Sequence, residues 1–147
     1  MVVNSQLKVI DDRFEIDFID FEEKLKEGVK LFLLCSPHNP GGRIWTKEEL
    51  TRMGDLCLKY GTIIVSDEIH ADLFHSPYTH YPLASLNERY ADQTVTLMAP
   101  SKTFNIAGMQ ASIMITSNKD IRTKITTTQT RNAFHGLNIL GLTAMEA

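Results

Sequence analysis

The sequence predicts an α/β protein in three layers, with a mostly parallel sheet and helices on both faces. Apolar or β-branched runs of strand length lie at 31–35, 62–65 and 94–98. The first run is continuously apolar, which is typical of a parallel strand that is buried on both faces. A strong helix pattern separates the first two runs, as the crossover between parallel strands requires. The runs and the crossover together indicate the class.

The composition restricts the kind of protein. The chain has 147 residues, 43% of them hydrophobic and 22% charged, which is typical of a single globular domain. The net charge of −3 is made of interspersed acidic and basic residues, so nucleic acid and anionic membranes are not expected partners. No apolar run approaches the roughly 20 residues of a membrane span, and residues 1–4 do not resemble a secretory signal. Cys35 and Cys57 are expected to be reduced thiols, with no disulfide and no metal site. We therefore predict a cytoplasmic protein.

The first quarter of the chain predicts supporting structure. Residues 7–10 and 14–16 are two short β-prone runs around a polar turn, which predicts a hairpin. Asp20 and Glu23 have the spacing of a capping box, so we expect a short helix from residue 20 to Gly28. Nothing in these elements suggests chemistry.

The loop at 36–42 follows the strand at 31–35 and contains two prolines and two glycines. Prolines restrict the backbone and glycines admit positive φ, so this sequence predicts a rigid loop at the carboxyl end of a strand. One interpretation is an ordinary strand-to-helix connection. The other is a stiff loop that fixes Asn39 toward a ligand.

The next helix has clear signals at both ends. Thr46 and Glu49 form a capping box, Trp45 and Leu50 have the spacing of a hydrophobic staple, and Gly61 is a C-terminal stop. We interpret this helix as structural.

The second strand, 62–65, leads to Asp67 and His70. A carboxylate at the end of an apolar strand is costly to bury without a cationic partner. A helix-capping role is the alternative for Asp67, and His70 alone is more typical of an ordinary polar residue. Residues 71–92 predict a loop and a short helix.

Lys102 follows the third strand, 94–98, and therefore lies where open α/β sheets place their ligands. A shielded lysine at this position has a lowered pKa, as a Schiff-base lysine needs, whereas an isolated lysine is usually a solvated surface residue. A fourth strand at 111–116 follows too soon for a helical crossover, so we expect it to be antiparallel. Helices are predicted at 118–134 and 137–147.

The three strands thus end in a polar, an acidic and a basic residue, which a parallel sheet is expected to gather at one edge. The motifs Asn39-Pro40-Gly41-Gly42, Asp67-Glu68-Ile69-His70 and Ser101-Lys102 occur in this order, with 28 and 35 residues (67−39 and 102−67) between their key positions. This pattern resembles the class I/II aminotransferase superfamily, the type I fold of pyridoxal-phosphate enzymes. Segments 70–73 and 99–105 look most like its cystathionine β-lyase, or C–S lyase, branch.

The resemblance implies a role for each of these residues. Lys102 is expected to form the internal aldimine with pyridoxal 5'-phosphate and to shuttle the Cα proton of the substrate. Asp67 is expected to keep the pyridine nitrogen protonated. Asn39 and His70 are expected to contact the ring's 3′-oxygen, and Ser101 the phosphate. The resemblance also suggests a cis peptide bond at Asn39-Pro40.

The resemblance covers the middle of a longer family pattern. It implies that residues 1–147 form a single partial large domain, a fragment without the N-terminal part and the C-terminal small domain. The expected partners are an amino-acid substrate and, in the full-length protein, a second copy in a homodimer. Gln110 replaces an arginine that many members use for the phosphate, and Ala99 replaces a serine. Phosphate binding is therefore expected to depend on Ser101 and on residues outside this chain.

Three functions remain open at this point. The first is a C–S β-lyase, and the second is an aminotransferase that uses the same residues. The third is a non-catalytic remnant that binds no cofactor. A nucleotide-binding domain is poorly supported, because neither G-x-G-x-x-G nor a P-loop pattern occurs. For the isolated chain we expect a cofactor-binding core with little or no turnover.

Overall fold

The computed structural model describes residues 1–134 and 136–147. Strands and helices alternate along most of this length, and two single turns of 3₁₀-helix occur at Leu83–Ser85 and Ala107–Met109. The strands and helices are β1 Leu7–Ile10, β2 Arg13–Ile16, α1 Phe18–Lys26, β3 Leu31–Cys35, α2 Lys47–Tyr60, β4 Ile63–Asp67, α3 Glu88–Gln93, β5 Thr94–Met98, β6 Ile113–Ile115, α4 Lys119–Arg131 and α5 Ile139–Glu146.

The main sheet has the order β3-β4-β5-β6. The first three strands are parallel, and β6 pairs antiparallel with β5, as its short connection predicts. The register aligns Cys35 with Asp67 and Asp67 with Leu97, so three parallel strands end at one edge. The hairpin of β1 and β2 forms a separate two-stranded sheet. The α/β class with a mostly parallel sheet is therefore confirmed.

The core lies on one face of this sheet. Helices α1, α2 and α3 bury that face in a cluster of ten hydrophobic side chains: Phe21, Leu25, Leu34, Trp45, Leu50, Met53, Cys57, Ile64, Leu83 and Tyr90. The opposite face is more open, with Leu33 72% and Met114 47% exposed. Helix α4 borders this face, where Ile125 and Gln129 line a cleft together with Met114.

Helix α1 begins earlier than predicted. Its N-cap is Asp17, whose carboxylate accepts from the backbone N–H groups of Ile19 and Asp20. The capping box expected at Asp20 is therefore wrong, because a second acidic residue three positions earlier already satisfies the first turn. Asp20 instead accepts a hydrogen bond from Ser5 and pairs with Lys24.

Helix α2 confirms its predicted ends. Thr46 and Glu49 form a reciprocal capping box, and Gly61 ends the helix at φ 64°. Trp45 and Leu50 are both buried in the core. None of the described helices is both long and apolar enough to span a lipid bilayer.

Candidate functional site

The loop after β3 holds Asn39 in a closed turn. The backbone N–H of His38 donates to the carbonyl of Arg43 at 2.7 Å, and that of Gly42 donates to the carbonyl of His38 at 2.9 Å. A Cβ at Gly41 would lie 2.4 Å from Nδ1 of His38, so only glycine fits there. The Asn39–Pro40 peptide bond is cis, as the resemblance suggests. The loop is therefore rigidly built, which favours the second of its two interpretations.

Arg43, a buried residue next to this loop, was not identified from the sequence. Arg43 is only 5% exposed. Its guanidinium pairs with Glu49, donates to the carbonyl of Phe14 at 2.6 Å and lies 4.7 Å from the Trp45 ring centroid. The Trp45 indole N–H donates to the carbonyl of Cys35 at 2.8 Å. Burial and the nearby guanidinium lower the pKa of His38. These contacts connect the Asn39 loop to the start of α2.

Asp67 is the last residue of β4, and its side chain is exposed. Its Oδ1 accepts from the backbone N–H of Ile69 at 3.2 Å, and the following residues form turns, so Asp67 does not cap a helix. No basic side chain within the described residues pairs with this carboxylate. Exposure to water replaces the cationic partner that burial would require.

His70 contacts Asn39 across the sheet edge. The Nδ2 atom of Asn39 lies 3.3 Å from Nε2 of His70. Both side chains therefore converge on one point at the carboxyl ends of β3 and β4.

Lys102 and Ser101 lie in the loop after β5. This loop closes on itself, with the Phe104 N–H donating to the carbonyl of Pro100 at 2.9 Å and the Ile106 N–H to that of Ser101 at 3.0 Å. Ser101 is half-buried, whereas Lys102 is exposed. The described residues therefore do not shield Lys102 from solvent.

The turn at 68–73 joins these loops, and the buried residue that anchors it was not identified from sequence patterns. Glu68 is 1% exposed and accepts from the Ser66 hydroxyl at 2.9 Å and the Leu83 backbone N–H at 3.3 Å, while its Oε2 lies 2.9 Å from Nε2 of His80. Such a buried carboxylate is stable only with this set of partners. A partner twelve residues away could not be found from local spacing.

The donor set fits the cofactor that the resemblance implies. A carboxylate lies at the end of β4, and an amide, an imidazole, a hydroxyl and an amine lie in the loops at the same edge of the sheet, at Asp67, Asn39, His70, Ser101 and Lys102. Among the described residues, Oδ2 of Asp67 has no protein donor and so can accept a hydrogen bond from a pyridinium N–H. Within the part of the chain that the structure describes, no cluster of three or more metal-ligating side chains occurs.

Comparisons with known proteins give one consistent family. Residues 2–145 match the family model for aminotransferase class I and II. The chain is 48% identical over 147 residues to the cystathionine β-lyase PatB of Bacillus subtilis and 33% identical over 107 residues to human kynurenine–oxoglutarate transaminase 3. It superposes with a TM-score of 0.89 and 43% identity on the crystal structure of cystalysin from Treponema denticola, which contains a pyridoxal 5'-phosphate cofactor.

These matches cover most of this chain and a minority of each relative. The share of this chain is 99% for PatB, 73% for the transaminase and 97% for cystalysin. The corresponding shares of the relatives are 38%, 23% and 36%. The chain thus spans between 23% and 38% of the length of these relatives.

Proposed function

Because the chain belongs to the class I and II aminotransferase family, we propose that it carries the cofactor-binding part of a pyridoxal 5'-phosphate enzyme that acts on amino acids. The reaction proposed for the whole protein is β-elimination at a C–S bond. The observation that carries this proposal is the gathering of Asn39, His70, Asp67 and the Lys102 loop at one sheet edge. This edge is where open α/β sheets bind their ligands.

Lys102 and Asp67 perform the proposed chemistry at opposite ends of the ring. When bound, the cofactor supplies an aldehyde carbon for covalent attachment and a ring that withdraws electrons from the substrate. The Nζ of Lys102 would hold the cofactor and, once the substrate amine has displaced it from the aldehyde carbon, would take the Cα proton of the substrate as a base and deliver a proton as an acid. The Asp67 carboxylate holds the proton on the pyridine nitrogen, which its exposed position at the end of β4 allows.

Asn39, His70 and Ser101 orient the cofactor in this proposal. Asn39 and His70 already converge, so both can donate to one ring oxygen, Asn39 from Nδ2 and His70 from an imidazole N–H. The hydroxyl of Ser101 is placed next to Lys102 and binds the phosphate. Gln110, in the left-handed region at φ 52°, supplies no positive charge for that phosphate. Further phosphate ligands would come from outside this chain.

The lyase is favoured over the aminotransferase by the higher identity to PatB over the whole chain. The transaminase similarity supports the alternative, because the residues found here would serve both reactions. The longer protein would separate them in one assay with a β-thiol amino acid and no keto acid. A lyase releases pyruvate, ammonia and thiol, whereas an aminotransferase releases none of these without an acceptor.

Cofactor binding by this chain is tested by mixing it with pyridoxal 5'-phosphate and recording the visible absorption spectrum of wild type and Lys102→Ala. We expect a yellow band in wild type, loss of the band in the variant, and a phosphopyridoxyl group on Lys102 after borohydride reduction and peptide mapping. Lys119→Ala is the matched control, since Lys119 opens α4. The same weak spectrum from wild type and Lys102→Ala would contradict the proposal and favour a remnant that binds no cofactor.

We also propose that residues 1–147 are a partial large domain of a cytoplasmic, homodimeric enzyme. The support for the compartment is that Cys35 and Cys57 are both free, and burial raises the pKa of the Cys57 thiol to about 12, which keeps it protonated. The support for a larger assembly is the open sheet face, where Leu33 is 72% exposed. Sedimentation of the longer protein would test the dimer.

A further inference from the structure

The turn at 68–73 is bonded to both of its neighbouring loops. On one side, His70 contacts Asn39 in the loop after β3. On the other side, the hydroxyl of Thr103 donates to Oδ2 of Asp72 at 2.8 Å. Thr103 is next to Lys102 in the chain, and Asp72 is two residues after His70. The turn therefore lies between the two loops and contacts each through one side chain.

The turn itself is fixed from the interior. The Glu68 backbone N–H donates to the carbonyl of Leu97 at 2.9 Å, and its buried carboxylate is held by Ser66, His80 and Leu83. Within the turn, the N–H of Ala71 donates to the carbonyl of Glu68, and the N–H of Leu73 to that of His70, both at 2.9 Å. Asp72 is thus placed by a segment whose own position is set by the core.

The loop that carries Lys102 has no comparable anchor. Its two internal hydrogen bonds close the loop but do not fix it on the sheet. Among the described residues, the bond from Thr103 to Asp72 is the one side-chain hydrogen bond that ties residues 99–106 to another element. Lys102 is exposed and is four residues past the end of β5. The direction of its loop therefore depends on this contact.

We propose that Asp72 is a positioning residue which, through Thr103, holds the loop of Lys102 against the turn that carries His70. The contact is named here the Asp72–Thr103 clasp. This proposal rests on the proposed function and deepens it. The clasp would set where the amine of Lys102 meets a cofactor bound between Asp67 and Asn39. Small displacements of a reacting group lower the reaction rate strongly. One hydrogen bond next to the lysine can therefore change the rate at which its amine reacts.

The first test needs no cofactor. Amide hydrogen exchange of Phe104 and Ile106 reports the order of the loop, because both N–H groups close it. Asp72→Ala and Thr103→Val are each expected to speed this exchange roughly three- to tenfold, as loss of a charge-assisted hydrogen bond does. The double variant is expected to be no faster than the faster single variant, since both remove the same contact. Wild-type exchange in the single variants, or multiplied effects in the double, would overturn the clasp.

Two further variants distinguish loss of the Asp72–Thr103 hydrogen bond from a general effect of removing a threonine hydroxyl. Thr103→Ser keeps the donor and is expected to restore wild-type exchange. Thr127→Val removes an exposed threonine hydroxyl from α4 and is expected to change nothing in residues 101–106. Thermal unfolding midpoints near that of wild type verify that the variants fold. Faster exchange in Thr103→Val but not in Asp72→Ala would contradict the assignment to Asp72.

The second test measures positioning. Pyridoxal 5'-phosphate is added to each variant, and the rate at which borohydride traps it on Lys102 is measured by peptide mapping. We expect Asp72→Ala and Thr103→Val to be roughly three- to tenfold slower than wild type, with Thr103→Ser unchanged. Equal trapping in all variants would overturn the positioning role. If wild type itself traps nothing on Lys102, the proposed cofactor function fails, and the exchange experiment still decides whether the clasp orders the loop.

Discussion

The chain has two regions that are held together differently. From α1 to β5, the helices pack on the sheet and bury the ten-residue cluster that forms the core. Among the described residues beyond Met98, Ala111 is the one buried hydrophobic side chain, and α4 buries none of its residues. Phe104, Phe134 and Leu140 are each more than half exposed there. The first region is stabilised by burial, and the second by local hydrogen bonds.

Helix α4 shows what this difference means for a single element. Asn118 caps its first turn. Four of its threonines, Thr123, Thr126, Thr128 and Thr130, donate to the backbone carbonyl four residues earlier. Such bonds satisfy side chains without adding apolar burial, and isolated helices of this length are marginal in water. The contrast with α2, which has both caps and buried residues, leads to four predictions.

The largest effect is expected from a core deletion. Leu50→Ala removes a fully buried side chain from α2 and should lower the free energy of unfolding by about 3 kcal/mol, from lost transfer energy and the cavity left behind. Ile125→Ala, the control at a half-buried position of α4, should cost less than about 1 kcal/mol. Urea denaturation measures both. Equal costs would show that α4 is as firmly packed as α2.

A glycine substitution gives the next largest effect. A Cβ at Gly54 in α2 would lie 2.9 Å from ring atoms of Tyr90. That ring is 3% exposed, and its hydroxyl donates to Asp55 at 2.7 Å; burial and this carboxylate raise the pKa of Tyr90 to about 12. Because the ring cannot move away freely, Gly54→Ala should destabilise by roughly 1–2 kcal/mol despite the better helix propensity of alanine. Gly108→Ala, where nothing lies within 4 Å, should leave the denaturation midpoint unchanged.

Removal of a helix cap should cost a similar free energy in the two regions, but the loss should appear in global unfolding in one and in local opening in the other. Thr46→Ala and Asn118→Ala each remove an N-cap, which costs about 1 kcal/mol. For α2 the loss should appear in global unfolding, because the helix carries the core. For α4 it should appear as faster amide exchange of that helix, with little change in global stability. A global loss from Asn118→Ala would remove the distinction between the regions.

The smallest expected effect is on the pH dependence of stability in acid. Glu22 in α1 accepts from Lys59 and the hydroxyl of Tyr60, both at 2.7 Å, and these bonds lower its pKa from the usual 4.5 to about 2. Because the folded-state pKa is depressed, the stabilisation is present above about pH 4.5 and is lost as the pH falls toward 2. Wild type and Glu22→Gln should therefore differ in stability at pH 6 and converge near pH 2. A constant difference across this range would contradict the assignment.

Local patterns in the sequence were sufficient for elements whose ends depend on neighbouring residues. Thr46, Glu49 and Gly61 predicted α2 because capping and termination involve residues within one turn. The antiparallel β6 followed from the length of its connection. Helix α1 was misplaced because Asp17 and Asp20 both qualify as caps, and local spacing does not choose between them. Strand β4 also extends past residue 65 to Asp67, because pairing with β3 and β5 continues to that point.

The sequence by itself determined the α/β class and the succession of strands along the chain. It also determined the five candidate residues at or after the strand ends. These could be found because apolar runs, caps and short motifs are local signals. Only the tertiary structure decided which side chains meet: Asn39 with His70, Asp72 with Thr103, and Glu68 with His80. The Asn39–His70 and Asp72–Thr103 contacts join residues 31 positions apart. Their geometry depends on how parallel strands align, and that alignment follows from burying one sheet face under α1, α2 and α3.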